Sequence, residues 1–195
     1  AGRFVAVGAR GVILQSSDGL AWAAATSGTT QDLHDVHFAA GRFVAVGPSS
    51  TIVTSTDCIT WQSLSLSGAA ARITHHRGKW IAKGGMFAMA SDDALNWTAQ
   101  PINARTAFQS LASLGASDVL LAGTLNDAIY LSDDGVTWDS LPITSPPTTG
   151  WVTAACAAGN TVVAVGKSGR IFQTTLRSLA AMAPVITTPP QAQVF

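Results

Sequence analysis

All of the chain's 11 acidic side chains are Asp, so no Glu is available for acid–base work. Two carboxylates flanking a scissile bond are the usual requirement for glycoside hydrolysis, and Asp32 and Asp127 are the pair that separate parts of the chain could bring together. His34, His37, His75 and His76 raise the question of a metal. On an extended strand, residues an odd number of positions apart point to opposite faces, so neither His34 with His37 nor His75 with His76 chelates from one face. A site would need single imidazoles from two elements, and no Cys or carboxylate run stands beside them. Cys58 and Cys156 occupy different contexts and read as unpaired small apolar side chains. There is no Gly-x-Ser-x-Gly elbow, phosphate-binding loop or dinucleotide fingerprint. No catalytic residue, metal or cofactor is therefore assigned.

Recognition chemistry is better represented. Arg10, Asp32, His34, Arg72, Arg105, Asn126, Asp127, Trp151 and Lys167 stand in polar connections between apolar runs, where binding residues concentrate. Trp151 is the best candidate for stacking on a sugar ring. Only 11% of residues are charged while 47% are hydrophobic, so the surface is covered mainly by Ser, Thr, Gly, Asn and Gln. Such a surface suits sugar hydroxyls, which ask for neutral hydrogen bonds. Net charge is zero and no basic run could neutralise a row of phosphates, which argues against nucleic acid. No apolar run reaches the ~18 residues of a membrane span, and no membrane insertion is expected. The chain opens Ala1-Gly2 with no Met, as after removal of a leading segment or in a piece of a longer chain.

The elements that must position these residues come from a repeat. Ser16-x-Asp18-x-x-x-Trp22 returns as Ser55, Asp57, Trp61, as Ser91, Asp93, Trp97, and as Ser132, Asp134, Trp138, at a period of about 39 residues. A second phrase, Gly2-Arg-Phe-Val-Ala-Val-Gly8, is repeated identically at Gly41 to Gly47. It recurs more loosely at Gly78 to Gly84, Val119 to Gly123 and Val162 to Gly166. Each copy is a β-branched run stopped by Gly, as in a buried strand, here strand B of its unit. A polar turn and a second apolar stretch give strand C, the Trp opens strand D, and a variable loop leads to strand A of the next unit. Four short strands in each ~40 residues is the pattern of a β-propeller blade. Asp in a tight turn accepts hydrogen bonds from the N–H groups that follow, so the Ser, Asp and Trp of the first phrase are structural.

The Ser-x-Asp-x-x-x-Trp phrase resembles the Asp-box, or bacterial neuraminidase repeat, of sialidase-like propellers over about residues 1 to 180. The Gly-x-Phe-Val-Ala-Val-Gly strand is similar to repeats of photosystem II assembly factors and of secreted or phage-borne propellers. The resemblance implies an extracellular or virion-associated protein. It does not imply sialidase chemistry, which needs a Tyr activated by Glu. The sole Tyr, Tyr130, is placed mid-strand, and Glu is absent.

The expected fold is thus all-β. It is a single domain over 1–195 with repeats starting near 2, 41, 78, 117 and 160, forming a five-bladed propeller of four-stranded antiparallel blades. The fifth repeat is degenerate, with Thr174, Leu176 and Ala180 in place of Ser, Asp and Trp. Residues 181–195 either close the ring, with Gln193-Val194-Phe195 beside the first strand so that the N- and C-terminal strands share one blade, or form a linker. The B–C turns and D–A loops share the rim opposite the Ser–Asp–Trp turns. The leading expectation for function is a non-enzymatic module that binds a glycan, small ligand or protein on that rim. The alternative is a structural or assembly protein, such as a phage or appendage component, and third a glycoside hydrolase using Asp carboxylates.

Overall fold

The computed structural model describes residues 2–65, 68, 70–84, 87–100, 108–114, 119–124, 129–141, 152–158, 161–166, 169 and 171–175. The chain divides into two compact units, Ala1–Pro101 and Ile102–Phe195.

The first unit holds three antiparallel sheets whose strands neighbour one another in chain order. They are β1 (Phe4–Val7), β2 (Ile13–Ser16) and β3 (Ala23–Ala25); then β4 (Asp35–Ala39), β5 (Arg42–Gly47), β6 (Thr51–Ser55) and β7 (Gln62–Ser65); then β8 (Arg72–His76), β9 (Lys79–Gly84), β10 (Phe87–Ser91) and β11 (Thr98–Gln100). The second unit holds a four-stranded sheet, β12 (Phe108–Leu114), β13 (Val119–Thr124), β14 (Ile129–Ser132) and β15 (Asp139–Leu141). Its other sheet has three strands, β16 (Val152–Ala158), β17 (Thr161–Gly166) and β18 (Ile171–Thr175). The sheets map onto the five sequence repeats strand by strand. The first lacks a strand A and the last a strand D among the described residues.

Alternation sets the packing of the first unit. In β5, Val44, Ala45 and Val46 are all fully buried because a sheet packs on each side. Ala45, Val53 and Trp61 face Ile13 and Leu33 of the first repeat, whereas Val44, Val46 and Ile52 face Ile73, Trp80, Ala82 and Met89 of the third. The apolar run without polar alternation is thus the mark of a strand enclosed on both faces.

In four of the five sheets strand C leads into the same turn. Ser55 Oγ donates to Asp57 Oδ1 at 3.0 Å and accepts the N–H of Asp57 (3.2 Å) and of Cys58 (2.9 Å). The same Asp57 oxygen accepts the N–H of Ile59 and of Thr60, each at 2.8 Å. The pattern recurs at Asp18, Asp93 and Asp134. Residues 19, 58, 94 and 135 adopt left-handed backbone, with Gly in two repeats and Cys58 (φ 67°) and Ala94 (φ 61°) in the others. The indole N–H of Trp22, Trp61 and Trp138 donates to the carbonyl of that left-handed residue at 3.1–3.2 Å.

The Trp residues do not all fill seams between sheets. Trp61 and Trp138 are buried, but Trp22 is 43% exposed and Phe4, the counterpart of Phe43, is 52% exposed. Both belong to the face of β1–β3 turned away from the second sheet, and no sheet of the first unit covers it. In the last sheet residues of the other face are exposed: Val165 and Ile171, counterparts of the fully buried Val46 and Ile52, are 38% and 55% exposed.

Candidate functional site

The rim of the first unit is built by the B–C turn after β1 and the D–A connection after β3. A single 3-10 turn, Ala9–Gly11, follows β1, and Arg10 within it is left-handed at φ 56°. Gly8 N–H donates to Val12 O at 2.9 Å to close the turn. Asp32 Oδ1 accepts the Arg10 backbone N–H at 2.8 Å, tying the connection to the turn. Leu33 N–H donates to Gly8 O (3.0 Å) and His34 N–H to Val46 O (2.7 Å), while the Leu33 side chain, 2% exposed, plugs the seam between the first two sheets. A Cβ on Gly11 would lie 2.1 Å from Thr29 O, and one on Gly47 would lie 1.8 Å from Asp32 O. Only glycine lets the connection pass so close to both turns. Arg10, Asp32 and His34, all exposed, are thereby brought onto one rim.

Arg72 stands apart from them, at the start of β8 and half-buried. Its Nη1 donates to Ala71 O at 2.7 Å. Asp35, at the head of β4, accepts the Ile73 N–H at 2.9 Å and the Val36 N–H at 3.0 Å, joining the second sheet to the third. Burial pushes the Asp35 carboxyl up from its ordinary value, against the Ile73 N–H, the Arg72 charge and the Val36 N–H. Arg105, Asn126, Asp127, Trp151 and Lys167 lie outside the described residues.

One further feature was not singled out from sequence, and two histidines that were singled out take a definite place. Lys83, fully buried, stands in β9 opposite Arg72, and burial pulls its ammonium down to about 8. The signal was available, since Lys83 occupies the place held by Val7, Val46 and Val165 in the other strand B phrases. His37 of β4 and His75 of β8 both meet Trp80, with ring centroids 6.0 and 5.1 Å away. Burial and the neighbouring His75 lower the His37 value. These are single imidazoles from two sheets, but among the described residues no group of three His, Cys or acidic side chains could hold a metal.

The Ser–Asp–Trp turns offer little chemistry of their own. The bonded oxygen of each Asp is filled by one hydroxyl and two backbone N–H groups. Those bonds hold Asp57 down at about 2, with the N–H groups of Thr60 and Ile59 the main causes. At Asp134 burial acts upward, yet the N–H groups of Thr137 and Val136 and the Ser132 hydroxyl together bring the carboxyl below its ordinary value. Tyr130 lies within β14, half-buried, paired across the sheet with Ser140. No described helix is long and apolar enough to cross a membrane.

No family model matches the chain, and no curated protein matches it by sequence. Solved structures do resemble it. The WD40 β-propeller domain of Doa1 matches at TM-score 0.66 and 12% identity over 89% of this chain and 61% of that one. The β-propeller domain of Myceliophteria thermophila Cps50 (Swd1) matches at TM-score 0.68 and 11% identity over 95% of this chain and 66% of that one. YCF48, solved bound to D1 peptide, matches at TM-score 0.69 and 16% identity over 87% of this chain and 59% of that one. The fold is that of the β-propeller proteins, and the chain spans about three fifths to two thirds of the length of these three.

Proposed function

We infer that the protein is a non-enzymatic recognition module that takes a glycan, small ligand or protein on the loops opposite the Ser–Asp–Trp turns, in an extracellular or virion-associated setting. The observation that carries this is the rim of the first unit. Its backbone is pinned by Asp32, Leu33 and His34, while the side chains it presents differ from those at the matching positions of other repeats. A rigid base with variable polar groups is what a binding surface on a repeated scaffold requires. The turns themselves are proposed to be Asp-box repeats.

The second reading is an assembly or appendage component. It is favoured by the likeness to YCF48, a protein solved with a peptide bound. The fold proposed with either reading is a single five-bladed array over 1–195, closed by Gln193-Val194-Phe195 beside β1. Support comes from the count of strand B phrases and from the first sheet having no strand A among the described residues.

A broad glycan array and a pull-down from the native source test the two readings together. Saturable glycan binding lost in His34→Ala, Arg72→Ala or Trp151→Ala, with the fold intact, supports the first. A stable protein complex lost in the same variants supports the second. Turnover of chromogenic glycosides would overturn both.

A further inference from the structure

The B–C turn, the end of β3 and the connection that follows enclose an open depression of about 630 Å3, walled by Arg10, Val12, Ala24, Thr26, Thr30 and Gln31. That volume falls within the usual range of small-molecule sites, roughly 300–1,000 Å3. Its polar groups divide into two sets. Ser27 Oγ donates to Thr29 O at 3.0 Å and accepts Thr29 N–H at 3.3 Å, and Thr29 Oγ1 accepts Gln31 N–H at 3.1 Å, so these hydroxyls shape the loop. The guanidinium of Arg10, the hydroxyls of Thr26 and Thr30 and the side-chain amide of Gln31 form no hydrogen bond or ion pair with the described residues. No carboxylate lines the depression, and Asp32 close by binds the Arg10 backbone N–H.

We propose that this depression binds a carboxylate-bearing saccharide, a uronic acid unit, with Arg10 taking the carboxylate and Thr26, Thr30 and Gln31 taking ring hydroxyls. The proposal rests on the recognition reading and names the ligand class of its rim. A guanidinium offers a planar fork that matches a carboxylate with two parallel N–H donors. A single guanidinium balances a monoanion. A phosphate dianion would keep charge unmatched, because no Lys, second Arg or helix terminus lines the site. Two hydroxyls and an amide, each able to donate and accept, complement sugar hydroxyls of the same dual character. Val12, 48% exposed, and Ala24 give the sugar ring an apolar edge. A peptide would find neither a deep pocket for an anchoring side chain nor a long free strand, since β3 has three residues. The loop backbone is already fixed by Asp32, Ser27 and Gly11, so binding orders side chains alone.

The test is an NMR titration of the whole 15N-labelled chain with methyl galacturonoside, with the methyl ester of that uronate, with methyl galactoside and with a short acetylated acidic peptide, each to about 20 mM, as a millimolar Kd requires. The expected result is millimolar binding of the uronate, with shifts centred on the Thr26–Gln31 amides. The ester and the neutral sugar should bind about tenfold more weakly or worse, since they lose a charge-assisted bond. Arg10→Gln should cause a similar loss with an unchanged melting temperature. Thr30→Ala and Gln31→Ala, away from the left-handed turn, should weaken all three sugars several-fold. Equal binding of acid and ester, indifference to Arg10→Gln, or stronger binding of the peptide at the same amides would overturn the proposal. If uronate does not bind while array or pull-down partners map elsewhere on the rim, this proposal falls and the recognition reading stands; if nothing binds, both fall.

Discussion

At the scale of single residues, the repeated turn is a hydrogen-bond device whose parts can be tested one at a time. Ser55 is 2% exposed and holds three bonds, so Ser55→Ala leaves two N–H groups short of an acceptor and should cost about 1–3 kcal/mol. Urea denaturation measures it, with exposed Ser17→Ala in the first repeat's turn as a control expected within about 0.5 kcal/mol of wild type. The carboxylates give an acid signature. Asp57 is held at about 2, below its ordinary value, by backbone N–H groups that favour the charged form. A depressed carboxyl contributes stability that is complete above the unfolded value, about 3.9, and is lost as pH falls through the folded one. Asp18 and Asp93 shift the same way, chiefly through backbone N–H bonds, whereas buried Asp35 shifts upward and works in the opposite sense. Stability should therefore fall between about pH 4 and pH 2, and less steeply in Asp57→Asn; equal slopes in a pH series of melts would refute the assignment. The Ser, Asp and Trp spacing made the turn legible in the sequence. It could not reveal that one Asp oxygen takes three donors, because spacing fixes which residues meet but not which lone pairs they share.

At the scale of strands and connections, two residues carry more than their phrases announce. Gly47 closes a strand B phrase, which explains a glycine there as a stop signal. Its stronger reason is the Asp32 carbonyl, 1.8 Å from where a Cβ would sit. Gly47→Ala should push the connection off the second sheet, uncouple Leu33 from the seam and cost about 3 kcal/mol or more, seen as a lowered denaturation midpoint. Lys83 is the converse case. A lysine near a strand end reads as solvent-facing, since lysine is almost never fully buried, and only comparison with Val46 marks the place as interior. Burial brings its folded value down to about 8 while the unfolded side chain keeps about 10.4. Between those values the unfolded chain holds a proton that the folded chain has released, so stability rises as pH rises from about 8 to 10.4. Lys83→Met should abolish that rise; a variant that retains it in alkaline melts would show that another group is responsible.

At the scale of the molecule, the repeat makes neighbouring sheets interchangeable in type but not in surroundings. The antiparallel order of strands within each described sheet was legible because every sheet reuses the strand B phrase and four of the five reuse the Ser–Asp–Trp phrase. The exposure of the first sheet's outer face was not, because Phe4 and Trp22 are spelled like the half-buried Phe43 and the buried Trp61 and differ in what lies beside them within the first unit. Within the first unit, Trp61 is 7% exposed in a seam with Ile13, Leu33 and Phe43, and Trp61→Ala should cost about 3–5 kcal/mol. Trp22 keeps the same indole bond to its own turn but lacks such a seam in that unit. Cost then becomes a measure of cover. If the array closes as proposed, a sheet lies against the face of β1–β3 in solution, and Trp22→Ala should approach the cost of Trp61→Ala. With the face open, little apolar area is lost and the cost stays near 1 kcal/mol. We expect the larger value, and comparison of the two variants by chemical denaturation, with Trp22 quenching by acrylamide as an independent readout of exposure, decides it. A small cost together with free quenching would leave the turns and seams of the first unit intact and remove closure from the fold.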